Sequence, residues 1–297
     1  MVTRRGILKG FKYLFTAGAA AASYGFGIEP GFGLRVQHYA LTPPVWPPGF
    51  KLRVVIIADL HAGWPYISAA RVAKIVDLAN SLEGDLHLLL GDYRATHRFI
   101  TQPVSYEQSA AALKRLSSQL GTHAILGNHD WWDDPAAQKR RAGPVRARLA
   151  LEAEGIPVYE NHGVRLAKDG QPFWLLGLGD SVALLNGRGR GFTGVDDLPK
   201  TLGVITDDAP ALLMIHEPDS FVSVPKRVAA TFAGHTHGGQ VRLFGYSPIV
   251  PSQFGNRFAY GHIEEEGRHM FVSGGIGCST LPVRLGVPPE LVVVDLG

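Results

Sequence analysis

Cysteine is almost absent from this chain of 297 residues. The lone Cys278 excludes an intramolecular disulfide and a cysteine-rich structural zinc site. Charge of one sign is scarce as well. The formal net charge of +3 resides in residues 1–30, where Arg4, Arg5, Lys9 and Lys12 face Glu29 alone. Removing those four from 29 basic side chains, and that one from 26 acidic ones, leaves 25 of each. A neutral body carries no electrostatic footprint for nucleic acid and weighs against that partner. No internal repeat is visible, so a solenoid is excluded. The uncharged run Tyr13–Ile28 has 16 residues, short of the ~20 that span a bilayer as a helix.

What the N-terminus does have is order: basic residues first, then an apolar stretch rich in small side chains. That is the pattern of a signal peptide or anchor over residues 1–30. "TRRGILK" resembles the twin-arginine export motif, with Ile7 where that motif has Phe. The resemblance implies the twin-arginine machinery as a partner, and either a cleaved leader in the periplasm or cell envelope or an uncleaved anchor on the cytoplasmic membrane. Residues 31–50 read as an early strand, Leu34–Leu41, and a rigid connector. Four prolines in "LTPPVWPPGF" exclude a helix or central strand there.

From residue 51 to 297 the pattern is that of one α/β domain. "LRVVIIAD", "DLHLLLGD" and "THAILGNHD" read as buried strands. Two helical segments separate them, the first ended by Gly84 and the second capped by Ser105. A third helical stretch breaks at Gly143-Pro144. This β-α-β-α-β rhythm predicts right-handed crossovers between parallel strands. Asp169-Gly170 predicts a hairpin turn. "PALLMIHEPD", "RVAATFAGHTHGG", "QVRLFG", "HMFVSGGIG" and "ELVVVDLG" predict further strands with little helix between them, in a mixed sheet or a second sheet packed on the first. "NGRGRGF", residues 186–192, reads as a surface loop.

Metal-binding side chains recur where these strands end: Asp59 and His61, Asp92, Asn128 with His129 and Asp130, His216, and His235 with His237. Ligands of open α/β sheets bind beyond the carboxyl ends of the strands, so five runs deliver O and N donors toward one rim. In extended chain, residues i and i+2 point the same way, which pairs Asp59 with His61 and His235 with His237. Glycines 91, 127 and 234 precede three of the clusters and permit close turns. Taken singly, each such residue is more often a cap or turn residue than a ligand. The ordered set is what carries the signal. In "FAGHTHGGQ" the role of Gly238, Gly239 and Gln240 stays open between tight-turn chemistry and room for a substrate.

"DLH", "GD", "GNHD", "H" before "EPD", and "GHTHGGQ" resemble the motif blocks of the calcineurin-like metallophosphoesterases. "GIGCSTLPVRLGVPPELVVVDL" resembles the end of a branch of membrane-associated or exported bacterial phosphodiesterases, which includes enzymes similar to the UDP-2,3-diacylglucosamine pyrophosphatases of lipid A synthesis. The resemblance implies a four-layer αββα sandwich of two mixed sheets flanked by helices. It implies two divalent metal ions, of Mn, Fe, Zn or Co. Asp59, His61, Asp92 and His237 would hold the first, and Asp92, Asn128, His216 and His235 the second, with Asp92 bridging. A metal-bridging hydroxide would attack a phosphodiester or pyrophosphate, with His129 as acid and Asp130 orienting it. Paired divalent ions lower the pKa of water and neutralise phosphoryl charge, so the chemistry suits the residues.

Arg94, Arg98 and Arg284 read either as contacts to an anionic substrate or as surface charge. Trp131, Trp132 and Tyr93 read either as an apolar wall or as core. The substrate implied is a phosphate ester or pyrophosphate, either a small molecule such as a nucleotide-sugar or a lipid. A broad-range phosphomonoesterase is the alternative on the same metal core. A non-catalytic metal-binding protein is the alternative of a different class, and the complete donor set speaks against it.

Overall fold

A computed structural model describes residues 3–187 and 190–297, without the side chains of residues 6 and 7; residues 188–189, inside the loop read at 186–192, lie outside the described residues. Helix α1 (Arg4–Ser23) is exposed at every described side chain. No described helix is long and apolar enough to cross a membrane. The chain continues through a π-helical turn, Tyr24–Ile28, and a helical turn, Glu29–Phe32, where Gly25, Glu29 and Pro30 become buried. The Arg284 amide donates to the Gly25 carbonyl at 2.9 Å, and the Gly286 amide to the Glu29 carboxylate at 3.1 Å. Tyr66 and Arg71 donate to the carbonyls of Phe26 and Gly31. Residue 30, where the leader pattern ends, therefore sits within a packed segment.

Strand β1 (Arg35–Leu41) follows. In the proline-rich connector, Trp46 stacks on Phe50 at 5.0 Å and both are buried between the sheets. Next come β2 (Leu52–Ile57), α2 (Ala69–Ser81), β3 (Leu86–Leu89), α3 (Tyr106–Leu113) and β4 (Thr122–Ala124). Ser105 caps α3 as expected, in a reciprocal box with Gln108. The end of α2 differs: Glu83, not Gly84, takes the left-handed conformation, at φ 52°. Gly84 is demanded by packing, since a Cβ there would lie 2.6 Å from Val55 Cγ2.

The helical stretch beyond breaks into α4 (Asn128–Trp132), α5 (Pro135–Arg140) and α6 (Arg146–Ala153), with Gly143-Pro144 in the gap. Then β5 (His162–Lys168) and β6 (Gln171–Gly177) form the expected hairpin, Asp169 and Gly170 both having positive φ. The rest is α7 (Leu198–Leu202), β7 (Ala211–Met214), β8 (Val228–Ala233), β9 (Gly261–Glu265), β10 (Arg268–Val272) and β11 (Glu290–Leu296). "QVRLFG" is not a strand. A tight turn at Phe244-Gly245 folds it back immediately, leaving isolated bridges Val241–Leu285 and Leu243–Tyr246.

One sheet has the order β1-β11-β2-β3-β4 and the other β9-β10-β8-β7-β6-β5. β2, β3 and β4 are mutually parallel, as are β6, β7, β8 and β10. Val54 and Ile56 face the second sheet across the shared core, while Val55 and Ile57 face the helices. Both faces of β2 are thus apolar, which is why it reads as an unbroken run. Helices α2, α3 and α6 cover the first sheet. The second is covered more thinly, by α7 and the 3-10 turns Pro218–Ser223 and Gly255–Phe258. The four-layer αββα expectation holds, with a slight fourth layer.

Candidate metal centre and its recesses

The parallel strands of both sheets end at one rim, and the loops beyond them are stitched across the gap. The His235 amide donates to Asp59 Oδ1 at 2.9 Å, and His216 Nδ1 donates to the Leu90 carbonyl at 2.6 Å. The donors converge by a different device from extended pairing. Asp59, His61, Asp92, His235 and His237 all have positive φ, between 39° and 70°. Such residues each cost about 1–3 kcal/mol unless the surroundings enforce them, and they cluster at functional sites. The left-handed turns, not a pleat, swing these side chains inward. Gly127 shows how close the approach is: a Cβ there would lie 2.4 Å from Asp92 Oδ1 and 2.5 Å from His216 Cε1.

Two clusters share Asp92. In the first, His61 Nε2 lies 3.1 Å from His237 Nε2 and 3.3 Å from Asp92 Oδ2, and His237 Nε2 lies 3.4 Å from Asp59 Oδ1. In the second, His216 Nε2 lies 3.3 Å from Asp92 Oδ2 and 3.2 Å from Asn128 Oδ1, which is 2.8 Å from His235 Nδ1. Because a carbonyl only accepts, Leu90 holds the proton of His216 on Nδ1 and turns Nε2 to the centre. All seven predicted donors are thus brought together, His235 and His237 in different clusters. Triads such as Asp59, His61 and His237 have ligand atoms within 4.8 Å of one another.

The electrostatics fit a divalent cation. Burial keeps His61, His235 and His237 below the usual imidazole range, so these rings are neutral near neutral pH. Burial also pushes Asp59 up to about 7, with the Asp92 charge adding to it. For Asp92 burial is outweighed by His216 and His129, which drive its pKa well below the carboxylate range. For His216 burial is likewise outweighed, by Asp92, and its pKa rises well above normal. Imidazoles and buried carboxylates set this close together are a donor set that suits a divalent cation.

Other expected residues are placed differently. Asp130 does not orient His129: its carboxylate accepts from the amides of Asp92, Tyr93 and Gly127, so it organises the donor loops. His129 Nδ1 lies 4.0 Å from Asp133 instead, and its Nε2 lies 3.3 Å from Ser279 Oγ. Arg284 is not a surface substrate contact. It is fully buried, donates to the carbonyls of Gly277 and Val287, and places Nη2 3.1 Å from His237 Nδ1. Arg94 sits over the Tyr106 ring, 5.9 Å from its centroid, and lines neither recess described below. Arg98 lies over Phe99. Tyr93 and Trp131 are core, whereas Trp132 stacks on Phe192 at 5.0 Å and flanks His129.

Four polar residues escaped the sequence reading: Asp133, Ser279, Glu217 and Asp180. Glu217 accepts from the Ser181 amide and hydroxyl, each at 2.9 Å, and its other oxygen is 3.9 Å from His235 Nδ1. Burial, and then the charge of Glu217, hold the Asp180 pKa well above normal. Asp180 had a legible signal, since "LLGLGD" repeats the pattern of "LLLGD". Gln240 is resolved in favour of turn chemistry: its amide donates to the Leu281 and Val283 carbonyls and accepts from the Ser279 amide.

Two recesses meet at His235. One, of about 540 Å³, is lined by His237, Val241, Pro248, Ile249, Leu281 and Val283 among others. The second, of about 680 Å³, runs past Trp132, Phe192, Ser181 and Glu217.

Known proteins resemble this chain in sequence. The profile of the calcineurin-like phosphoesterases matches residues 52–239. The chain is 27% identical to the uncharacterized metallophosphoesterase YkuE of Bacillus subtilis, covering 99% of this chain and 98% of that protein. It is also 27% identical to the phosphodiesterase YaeI of Escherichia coli over the full length of both. A bovine transmembrane protein with a metallophosphoesterase domain is 26% identical over 82% of this chain and 52% of its own length. The donors at the strand ends and this family match have one meaning: the chain belongs to the calcineurin-like phosphoesterases and is a metal-dependent phosphoester hydrolase.

Proposed function

We propose that the centre holds two divalent cations and hydrolyses a phosphodiester or pyrophosphate whose two arms lie in the two recesses. The observation that carries this is the position of His235, which lines both, so that a phosphorus at the centre has room on either side. A monoester needs only one. The relative named as a phosphodiesterase supports the same choice. Asp59, His61, Asp92 and His237 would hold one cation, and Asp92, Asn128, His216 and His235 the other. Bound there, such cations, of Mn, Fe, Zn or Co, supply Lewis acidity toward phosphoryl oxygens and nucleophilic hydroxide near neutral pH.

The chain's own groups do the rest. His129, partly exposed beside the centre, hands a proton to the leaving oxygen, with Asp133 and Ser279 fixing its ring. Trp132 and Phe192 wall one arm. The lining of the other recess is largely apolar, which suits a lipid-linked substrate or an apolar part of a nucleotide-sugar. Residues 1–30 act as a twin-arginine export leader or anchor at the cytoplasmic membrane, which cell fractionation tests. For the activity, metal-stripped protein is reloaded with each cation and given bis-p-nitrophenyl phosphate, the monoester and a lipid-linked pyrophosphate. Faster monoester turnover under every cation would overturn the diester reading in favour of a broad phosphomonoesterase. No hydrolysis of any of the three would overturn the substrate reading altogether.

A further inference from the structure

The loop that rims the apolar recess does something unusual with a large side chain. Leu243 and Tyr246 exchange backbone hydrogen bonds at 2.9 and 3.0 Å, closing a two-residue turn with Phe244 at φ 52° and Gly245 at φ 81°. Such turns favour Asn, Asp or Gly at their first position, because a bulky residue there is strained. Phe244 is nonetheless there, and its side chain is fully exposed, at 108% of the reference area. Leu243, Tyr246, Ile249 and Leu281 are exposed beside it. Local strain combined with water-facing apolar surface is explained by neither packing nor turn preference.

This patch is continuous with the N-terminal segment. The Leu285 amide donates to Gln240, and the Arg242 amide to Leu285. A Cβ on Gly25 would touch Val283 and Leu285. From Gly25 the chain leads outward through the exposed Phe26, Ile28 and Phe32 on one side, and into α1 on the other. Helix α1 exposes Leu8, Phe11, Leu14 and Phe15 together with Arg4, Arg5, Lys9 and Lys12, and contains no acidic residue. Apolar side chains mixed with unopposed cations are complementary to an anionic lipid surface rather than to a neutral protein face.

We propose that Phe244 and its neighbours form a second membrane contact, seated in an anionic lipid surface alongside α1, so that the apolar recess opens onto the bilayer. This deepens the lipid-linked substrate reading and rests on it for the last step: a lipid tail passes along Ile249 and Leu281 while its phosphate reaches the centre. α1 alone would tether the enzyme without orienting it. The second contact fixes the recess mouth toward the lipid.

Full-length protein carrying Phe244→Cys, and separately Gln171→Cys at the exposed far end of the hairpin, is labelled with an environment-sensitive fluorophore. Cys278 is buried, which directs labelling to the new thiol. Phosphatidylglycerol vesicles should shift the label at 244 to the blue and leave that at 171 unchanged, with a weaker response to pure phosphatidylcholine. Phe244→Asn, which suits the turn, should lower vesicle partitioning about tenfold. It should leave bis-p-nitrophenyl phosphate hydrolysis in solution unchanged. A silent label at 244 on protein that sediments with vesicles would overturn the proposal, leaving α1 as the sole anchor. A label already shielded without vesicles, in a species of doubled mass, would overturn it in favour of a second copy of the chain. Hydrolysis in the same preparation separates the readings: active enzyme with a silent label defeats the docking alone, whereas absence of hydrolysis defeats the substrate reading.

Discussion

The donor rim and the loop at its edge use the same rare backbone conformation for opposite purposes. At Asp59, His61, Asp92, His235 and His237 the left-handed turn points a polar side chain into the protein, where four of the five are almost wholly buried. At Phe244 it points an apolar side chain out into water. Each reverses what sequence and solvent prefer, and the partners proposed above would offset the cost: cations in one case, and a lipid surface in the other. Backbone strain that coincides with misplaced polarity marks a surface or site shaped for function rather than for packing.

Removing the shared acid should break the polar half most severely. Asp92→Asn takes one negative charge from both clusters, and hydrolysis should fall on the order of 10³-fold or more. The fold should survive, because the Asp92 side chain packs against the centre rather than the core. Near-normal turnover of Asp92→Asn with metal supplied would refute the assignment of the centre. His129→Ala should come next, with losses of roughly 10²–10⁴-fold on alkyl esters and smaller ones on p-nitrophenyl esters, whose leaving group needs no proton. Equal losses on both classes would remove His129 as the acid.

Arg284→Met should tighten cation binding by roughly 10-fold, because an arginine only donates: its contact with Nδ1 keeps the His237 proton on Nε2, the atom facing the centre, and sets a like charge beside the site. Titration of stripped protein with Mn, followed by calorimetry, reads this directly. Unaltered affinity would mean that the contact with His237 Nδ1 is incidental. The arginine also ties the two regions together, since its own amide holds Gly25 of the N-terminal segment.

Much of this rim was legible because each donor interrupts an apolar strand, and a polar residue after "LLL" or "AIL" has no packing reason to be there. The β-α-β-α-β half was legible for the same cause: its strands are apolar on both faces and its helices carry caps. The second half was read less fully. "HIEE" of β9 alternates on a partly exposed strand beside β10, and so blends with loop composition. Arg284 was misread because no motif distinguishes an arginine on the surface from one folded inward onto the Gly277 and Val287 carbonyls and the His237 ring. Asp130 was misread for a related reason: adjacency to His129 suggested a pair, but on a helical turn consecutive side chains diverge, and Asp130 meets the amides behind it.

The pH dependence tests the cation half in a graded way. Asp59, raised to about 7, stabilises the metal-free fold fully below its unfolded value. That contribution is lost as pH rises toward 7, because deprotonation then favours the unfolded chain. His216 is also raised, so its contribution is lost as pH climbs above the ordinary histidine range. His61, His235 and His237, lowered by burial, act with the opposite sign and add stability as pH rises to the ordinary histidine range, so the melting temperature of chelated protein should fall only above about pH 7, where the His216 contribution is being lost. Cations compete better for deprotonated ligands, so the gap between loaded and chelated Tm should widen as pH rises. A gap independent of pH would mean that these groups do not meet the metal.

The smallest effect should come from the apolar half, and its sign is the informative part. Replacing a surface aromatic ordinarily changes stability little, and replacing a ligand's strained neighbour usually lowers it. Phe244→Asn should instead raise stability in solution, by about 1 kcal/mol, because Asn tolerates the left-handed turn and no packing is lost from so exposed a ring. Thermal melting without lipid checks this. A stabilised protein that has lost its hold on anionic vesicles would show that the strain at Phe244 is retained for the surface it meets. A destabilised one would mean that the ring packs against the protein after all, and the contrast between inward donors and an outward aromatic would collapse.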